Sequence, residues 1–233
     1  MTVIPEILGH DPETAKMLLD VKAVNFRPEE PYIFTAGWAS PVYIDCRKII
    51  SFPNVRDHIM AKGRGMLWSR GVMDNLDFIA GGETAGIPYA AWMAQDENAP
   101  MLYVRKKPKG FGRDAQIEGD PKPGAKVLLV EDLATDGGSK FNFINAIRMA
   151  GMTVADIFVV FFYGIFPGSL DGLKAQGVGL HFLATWWDVL RVAEEGEYFS
   201  SKANAEVRKF LANPIDWSAA HGGRGSMDKI EAG

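Results

Sequence analysis

Val127-Leu-Leu-Val-Glu-Asp-Leu-Ala-Thr-Asp-Gly-Gly-Ser139 passes from an unbroken apolar run into two acids, a turn of small residues and a Gly-Gly-Ser step. An aliphatic run without alternation is a strand covered on both faces, as in a parallel sheet. After Ser139 the period changes: Phe141, Ile144 and Ile147 recur at helical spacing. Strand, turn and helix in this order form half of an open α/β unit, whose ligands bind beyond the carboxyl ends of the strands. Glu131 and Asp132 fall there. Gly137 and Gly138 permit positive φ and close backbone approach. Successive amides that open a helix make an anion nest, and Thr135 and Ser139 add hydroxyl donors. Acids that accept from sugar hydroxyls, beside amides that hold phosphate, suit a sugar phosphate. The same composition also suits a strand that ends in solvated acids before a glycine turn, and the loop alone does not separate the two. The dinucleotide pattern G-x-G-x-x-G is missing, and so is the Gly-Lys-[Ser/Thr] order of a Walker loop, since Lys140 follows the serine.

Working outward, further short apolar runs lie at 76–80, 101–104, 154–163 and 181–185. Helical patterns fill 86–94, 138–150 and 169–176 between them. Alternation of this kind predicts one α/β core over about 72–190. Upstream, Asp11, Pro12 and Glu13 mark a helix start, and Ala15, Leu18, Leu19 and Lys22 carry its face over 11–24. Residues 34–51 read as extended and hairpin-like, with Cys46 as a small buried hydrophobe in an alternating strand. Residues 55–70 read as a helix weakened by Gly63 and Gly65. Two helices follow the core, at 186–195 and 203–211, and then a polar, glycine-rich tail from His221. The expected division is an N-terminal hood (1–55), an α/β core (56–200) and a C-terminal helix with a mobile tail (201–233). The expected fold is α/β, a parallel sheet of about five strands flanked by helices, with the hood over its carboxyl edge.

Composition narrows the function. The chain has 233 residues, with 25 Lys and Arg against 29 Asp and Glu, a balance that argues against general nucleic-acid binding. One cysteine excludes an intramolecular disulfide and a thiolate zinc site. His10, His58, His181 and His221 have no metal-ligand spacing. The apolar stretch 159–166 is too short to cross a membrane, and the N-terminus lacks a signal-peptide pattern, so a cytoplasmic protein is expected. Against the acidic background, Arg105, Lys106, Lys107, Lys109 and Arg113 form a cationic loop punctuated by Pro108, Gly110 and Gly112. It reads either as an anion attractor or as a solvated charge run that protects a strand edge.

Strand, Glu-Asp, small loop, Gly-Gly-Ser and helix together resemble the phosphoribosyl-pyrophosphate (PRPP) motif of the type I phosphoribosyltransferases. Ser40-Pro-Val-Tyr-Ile-Asp-Cys-Arg-Lys-Ile-Ile-Ser-Phe-Pro53, Thr84-Ala-Gly-Ile-Pro88, and Met101-Leu-Tyr-Val-Arg-Lys-Lys-Pro-Lys-Gly110 with Gln116-Ile-Glu-Gly119 resemble the orotate phosphoribosyltransferases, in their order and spacing. The resemblance covers about residues 33–150. It implies transfer of phosphoribosyl from PRPP to orotate, giving orotidine 5′-monophosphate and pyrophosphate. It implies Mg²⁺ carried by PRPP with no direct protein ligand, and a cytoplasmic homodimer that shares the basic lid loop between subunits. Neither nucleic acid nor membrane is an implied partner. Glu131, Asp132, Lys106 and Lys109 take the catalytic roles by this resemblance. Arg105, Lys106, Lys109, Glu131, Asp132, Leu133, Ala134, Thr135, Asp136, Gly137, Gly138 and Ser139 bind PRPP, and Thr135 also meets orotate. The chemistry is coherent: departing pyrophosphate gathers negative charge that preorganised cations stabilise, and a closed lid excludes water.

Four segments depart from the family pattern. Phe111 stands in the lid where a His is common, Thr35 where a Lys is common, and Thr84-Ala85 where Tyr-Lys is common. The strand after the Gly-Gly-Ser helix ends Phe161-Phe-Tyr-Gly-Ile-Phe-Pro167, without the Arg that holds the orotate carboxylate in the family. A bound anion needs a partner. The candidates are backbone amides of residues 37–40, Arg47 and Lys48. Two other readings stay open: transfer to a different nucleobase, which the missing Arg favours, and a non-catalytic PRPP-sensing regulator, which would want a DNA-binding extension.

Overall fold

The computed structural model describes residues 11–110, 116–135, 138–166 and 168–226. Six strands form the main sheet: β5 (Phe78–Gly82), β6 (Met101–Val104), β7 (Ile117–Glu118), β8 (Lys126–Ala134), β9 (Thr153–Phe162) and β10 (Gly179–Thr185). Their order is β10-β9-β8-β5-β6-β7. Every neighbouring pair is parallel except β6 and β7, so the five expected strands carry a short antiparallel edge strand in addition. Along β8, Leu128 and Val130 enter one core cluster, whereas Val127 and Leu129 enter the other. Both faces are covered, which is why this strand reads as a continuous apolar run.

Helix α4 (Gly138–Met149) covers one face and buries Phe143, Ile144 and Ile147. Helices α2 (Pro53–Ser69), α3 (Gly86–Glu97) and α6 (Trp186–Glu195) pack on the other. A short helix, α5 (Asp171–Ala175), leads into β10. Helix α6 opens with a capping box in which buried Asp188 accepts from the Thr185 amide at 2.9 Å. Trp186 is fully buried and meets Phe161 and Tyr163 edge-on.

Before the sheet, Asp11 caps α1 (Pro12–Asp20) through the Glu13 amide at 3.1 Å and the Thr14 hydroxyl at 2.8 Å. The helix stops at Asp20, short of the expected end. Lys22 adopts φ 56° and turns the chain into β1 (Val24–Phe26). Strand β1 pairs antiparallel with β4 (Val42–Ile44), and β2 (Tyr32–Ile33) with β3 (Ala39–Ser40). Cys46 is fully buried as expected, but it opens a 3-10 helix, Cys46–Ser51, rather than sitting in a strand.

Helix α7 (Ser201–Ala212) is followed by α8 (Pro214–Ala220), which the sequence reading passed over. Asn213-Pro214 looks like a helix stop, yet the Asn213 side chain accepts from the Asp216 amide and starts the next helix. Residues 221–226 lie against the hood, and 227–233 fall outside the described residues.

The two weak points of α2 have opposite surroundings. A Cβ on Gly63 would lie 2.4 Å from Phe158 Cζ in the core, whereas one on Gly65 meets nothing within 4 Å. Gly65→Ala is therefore expected to stabilise the protein by about 0.5–1 kcal/mol through helix propensity. Gly63→Ala is expected to destabilise it by about 1–3 kcal/mol through overpacking. Urea unfolding of both variants checks the contrast.

Candidate active site

The carboxyl ends of β5, β8 and β9 open onto two adjoining cavities. One, of about 600 Å³, takes its walls from hood residues Phe34, Thr35, Trp38 and Tyr43 and from Leu133, Thr135, Tyr163 and Phe166. The other, of about 480 Å³, is lined by Glu83, Thr84, Lys106, Glu131, Lys140, Asn142 and Phe143. Asp132, Ala85 and Arg47 line both. An aromatic slot thus adjoins a charged chamber, and one carboxylate stands between them.

Strand geometry places the two acids. Successive side chains of a strand point to opposite faces, so Glu131 and Asp132 diverge at the end of β8. Glu131 is 5% exposed, and its Oε2 accepts from the Lys140 ammonium at 2.9 Å. Its other oxygen, Oε1, is buried with no hydrogen-bond partner among the described residues. A Cβ on Gly82 would lie 1.8 Å from that oxygen, so only glycine leaves room for the carboxylate. Burial pushes the Glu131 carboxyl up to about 7, against the pull of Lys140. Asp132 is 8% exposed; burial raises its pKa as well, while Lys140 and the Leu133 amide, 2.8 Å from Oδ1, oppose the shift.

The expected site residues divide between these cavities and the surface. Glu131, Asp132 and Lys106 come together in the charged chamber, and Leu133 and Thr135 line the aromatic slot. Leu133 and Ala134, read as loop residues, belong to β8 and pair with Phe161 and Phe162. Ala134 is buried in the sheet, so the loop begins at Thr135. Gly138 and Ser139 open α4. Asp136 and Gly137 lie outside the described residues, as do Phe111 and Arg113.

The lid residues split. Lys106 is anchored by its backbone: its amide donates to Glu83 at 2.8 Å, and its carbonyl accepts from Asn142 at 3.0 Å. Arg105 and Lys109 instead pair with Glu118 on β7, and neither is among the described residues that line these two cavities. Among the candidates for an anionic base, the amides of Gly37 and Ala39 are already bonded to Phe34 and Ser218. Lys48 is turned toward the Lys22 carbonyl. Arg47 is the one cation lining the aromatic slot among the described residues.

Sequence reading missed Glu83, Lys140 and Asn142. Lys140 had a signal, a lysine on the first turn of the helix beside its apolar face; its 4% exposure, and its partner nine residues upstream, are set by the fold. Glu83 and Asn142 had none, because each reaches Lys106 only across the folded sheet. Among the described histidines, His58 pairs with Glu13 on the surface, and His221 stacks on Trp217. No helix among the described residues is long and apolar enough to cross a membrane.

No family model matches the chain. The orotate phosphoribosyltransferase of Cereibacter sphaeroides strain ATCC 17025 is 53% identical over 207 residues, 89% of each chain. The crystal structure of orotate phosphoribosyltransferase from Aeropyrum pernix superposes with a TM-score of 0.65 at 30% identity, over 80% of this chain and 99% of that one. The UMP synthase of Leishmania donovani superposes with a TM-score of 0.73 at 28% identity; 87% of this chain is matched, and it spans 42% of that longer protein. Identity above half, over nearly the full length of a relative, adds to a cavity pair that separates an aromatic slot from an acid- and lysine-lined chamber. The chain belongs to the orotate phosphoribosyltransferase family.

Proposed function

We propose that this chain transfers the phosphoribosyl group of PRPP to orotate, with the pyrimidine in the aromatic slot and the sugar diphosphate in the charged chamber. The observation that carries the assignment is the position of Asp132 between the two cavities, where the anomeric carbon of a substrate spanning both would sit. The bond from the orotate nitrogen to the anomeric carbon forms as the carbon–oxygen bond to pyrophosphate breaks. The nitrogen attacks deprotonated, so no strong base is required. Asp132 and Glu131 accept from the ribose hydroxyls, and their negative field stabilises positive charge that develops on the sugar. The loop from Thr135 to Ser139 holds the 5′-phosphate through backbone amides. Thr135 also meets the base, and Lys106 stabilises departing pyrophosphate.

Mg²⁺ belongs to the proposal as a companion of PRPP. The chamber fits it: its acids are hard oxygen donors, and one buried Glu131 oxygen has no partner among the described residues. Glu131 and Asp132 would hold the ion by way of the substrate's hydroxyls. The chemistry it supplies is neutralisation of the diphosphate charge.

Arg105 and Lys109, held on Glu118 outside the chamber, support a lid that must move to act. In the proposal it closes over the site of a second subunit, in a cytosolic homodimer. Orotate absorbance followed with PRPP and Mg²⁺, each omitted in turn, tests the reaction; consumption should require all three. Mixing inactive Asp132→Asn with inactive Lys109→Ala protein should restore turnover, because one site of the mixed dimer is intact. Turnover with uracil or a purine in place of orotate would reassign the base. Mixed variants that stay inactive would place the lid over its own subunit.

A further inference from the structure

We infer that Arg224, outside both cavities, is a positioning residue for the wall of the base slot; this rests on the orotate reading above. The turn between β2 and β3 brings Phe34, Thr35, Ala36 and Trp38 to that slot. Its own support is thin. Two-residue strands flank it, and inside it Gly37 donates to the Phe34 carbonyl at 2.7 Å and Phe34 to the Trp38 carbonyl at 2.9 Å. A hairpin this short does not hold its shape alone in water.

The C-terminal segment supplies the missing constraint. The Arg224 amide donates to the Gly37 carbonyl at 2.8 Å, and its Nη1 to the Ala36 carbonyl at 3.4 Å. The guanidinium lies 4.7 Å over the Trp38 ring. Trp38 in turn packs 5.3 Å from Phe166, which lines the slot from the β9 side. Trp38 therefore contacts both the Arg224 guanidinium and the Phe166 ring. The segment is fastened at its base. Gly223 donates to the Ser218 carbonyl at 2.9 Å, and the fully buried Ser218 hydroxyl accepts from the Ala39 amide at 3.0 Å. A Cβ on Gly223 would lie 2.3 Å from that amide nitrogen, so the segment runs as close to the hood as backbone permits.

The clamp acts on one substrate only. No residue of the 33–38 turn lines the charged chamber, so loosening the turn affects the base and not the diphosphate. A ligand that needs the wall must order it on binding, and that cost appears in its apparent affinity.

The test compares wild type, Arg224→Ala and Arg224→Lys by steady-state kinetics in each substrate and by hydrogen exchange of the 33–39 amides. Arg224→Ala should raise the KM for orotate about five- to tenfold through the lost cation–π contact and hydrogen bond, with kcat and the KM for PRPP held within about twofold. Exchange should quicken in 33–39 alone, and Arg224→Lys should recover most of both effects by keeping a cation over the indole. An unchanged KM for orotate, a parallel rise in both KM values, or exchange that quickens throughout the chain would overturn the proposal. The exchange measurement does not depend on turnover, so failure of the clamp and failure of the orotate reading are told apart.

Discussion

Asp132→Asn is expected to lower kcat by about 10³-fold while leaving the fold intact. The carboxylate stands where both cavities meet, and the positive charge that develops on the sugar has its partner there. Asparagine keeps the shape and the oxygen that accepts from the Leu133 amide, but carries no charge. Folding has nothing to lose, because burial already disfavours the ionised Asp132. Melting temperature should stay level or rise, and single-turnover rates should show the loss in the chemical step. Turnover near the wild-type value would remove Asp132 from the mechanism and leave Glu131 as the reacting acid.

Arg47→Ala is expected to raise the KM for orotate roughly 10- to 100-fold, the range for losing hydrogen bonds to a charged group. The strand after the Gly-Gly-Ser helix offers no arginine to the orotate carboxylate, and Arg47 is the cation left in the aromatic slot among the described residues. Its Nε is tied to Asp45 at 3.1 Å, which aims the guanidinium without burying it; the side chain keeps 60% of its surface exposed. Because Arg47 also borders the charged chamber, KM values measured separately decide its role. A rise confined to orotate assigns it to the carboxylate. A rise confined to PRPP would assign it to phosphate and leave orotate recognition to other groups. Stability should change little, since an exposed ion pair contributes at most about 1 kcal/mol.

The α/β core was legible because a strand covered on both faces has a signature that no surface element shares. Residues 127–130 announce one, and the helical period after Ser139 announces its crossover. The acids were legible for the same local reason: charge at the end of a strand is written in consecutive residues. The hood was less so. Its strands are two or three residues long, below the length at which alternation is visible, and Cys46 sits in a 3-10 helix that no period marks. The C-terminal helix after Asn213 was hidden because a proline can end one helix and open the next.

By itself, then, the sequence determined the strands and helices of the core, which rest on near neighbours, and the family resemblance, which rests on motifs ordered over about residues 33–150. Tertiary structure alone decided the rest. It set Lys140 against Glu131, brought Arg47 to the slot and turned Lys48 away, drew Lys109 onto Glu118, and laid Arg224 over Trp38 across 186 positions of chain. These pairings depend on the directions in which side chains leave packed elements. The sheet order and the burial that fix those directions exist only once the chain has closed on itself.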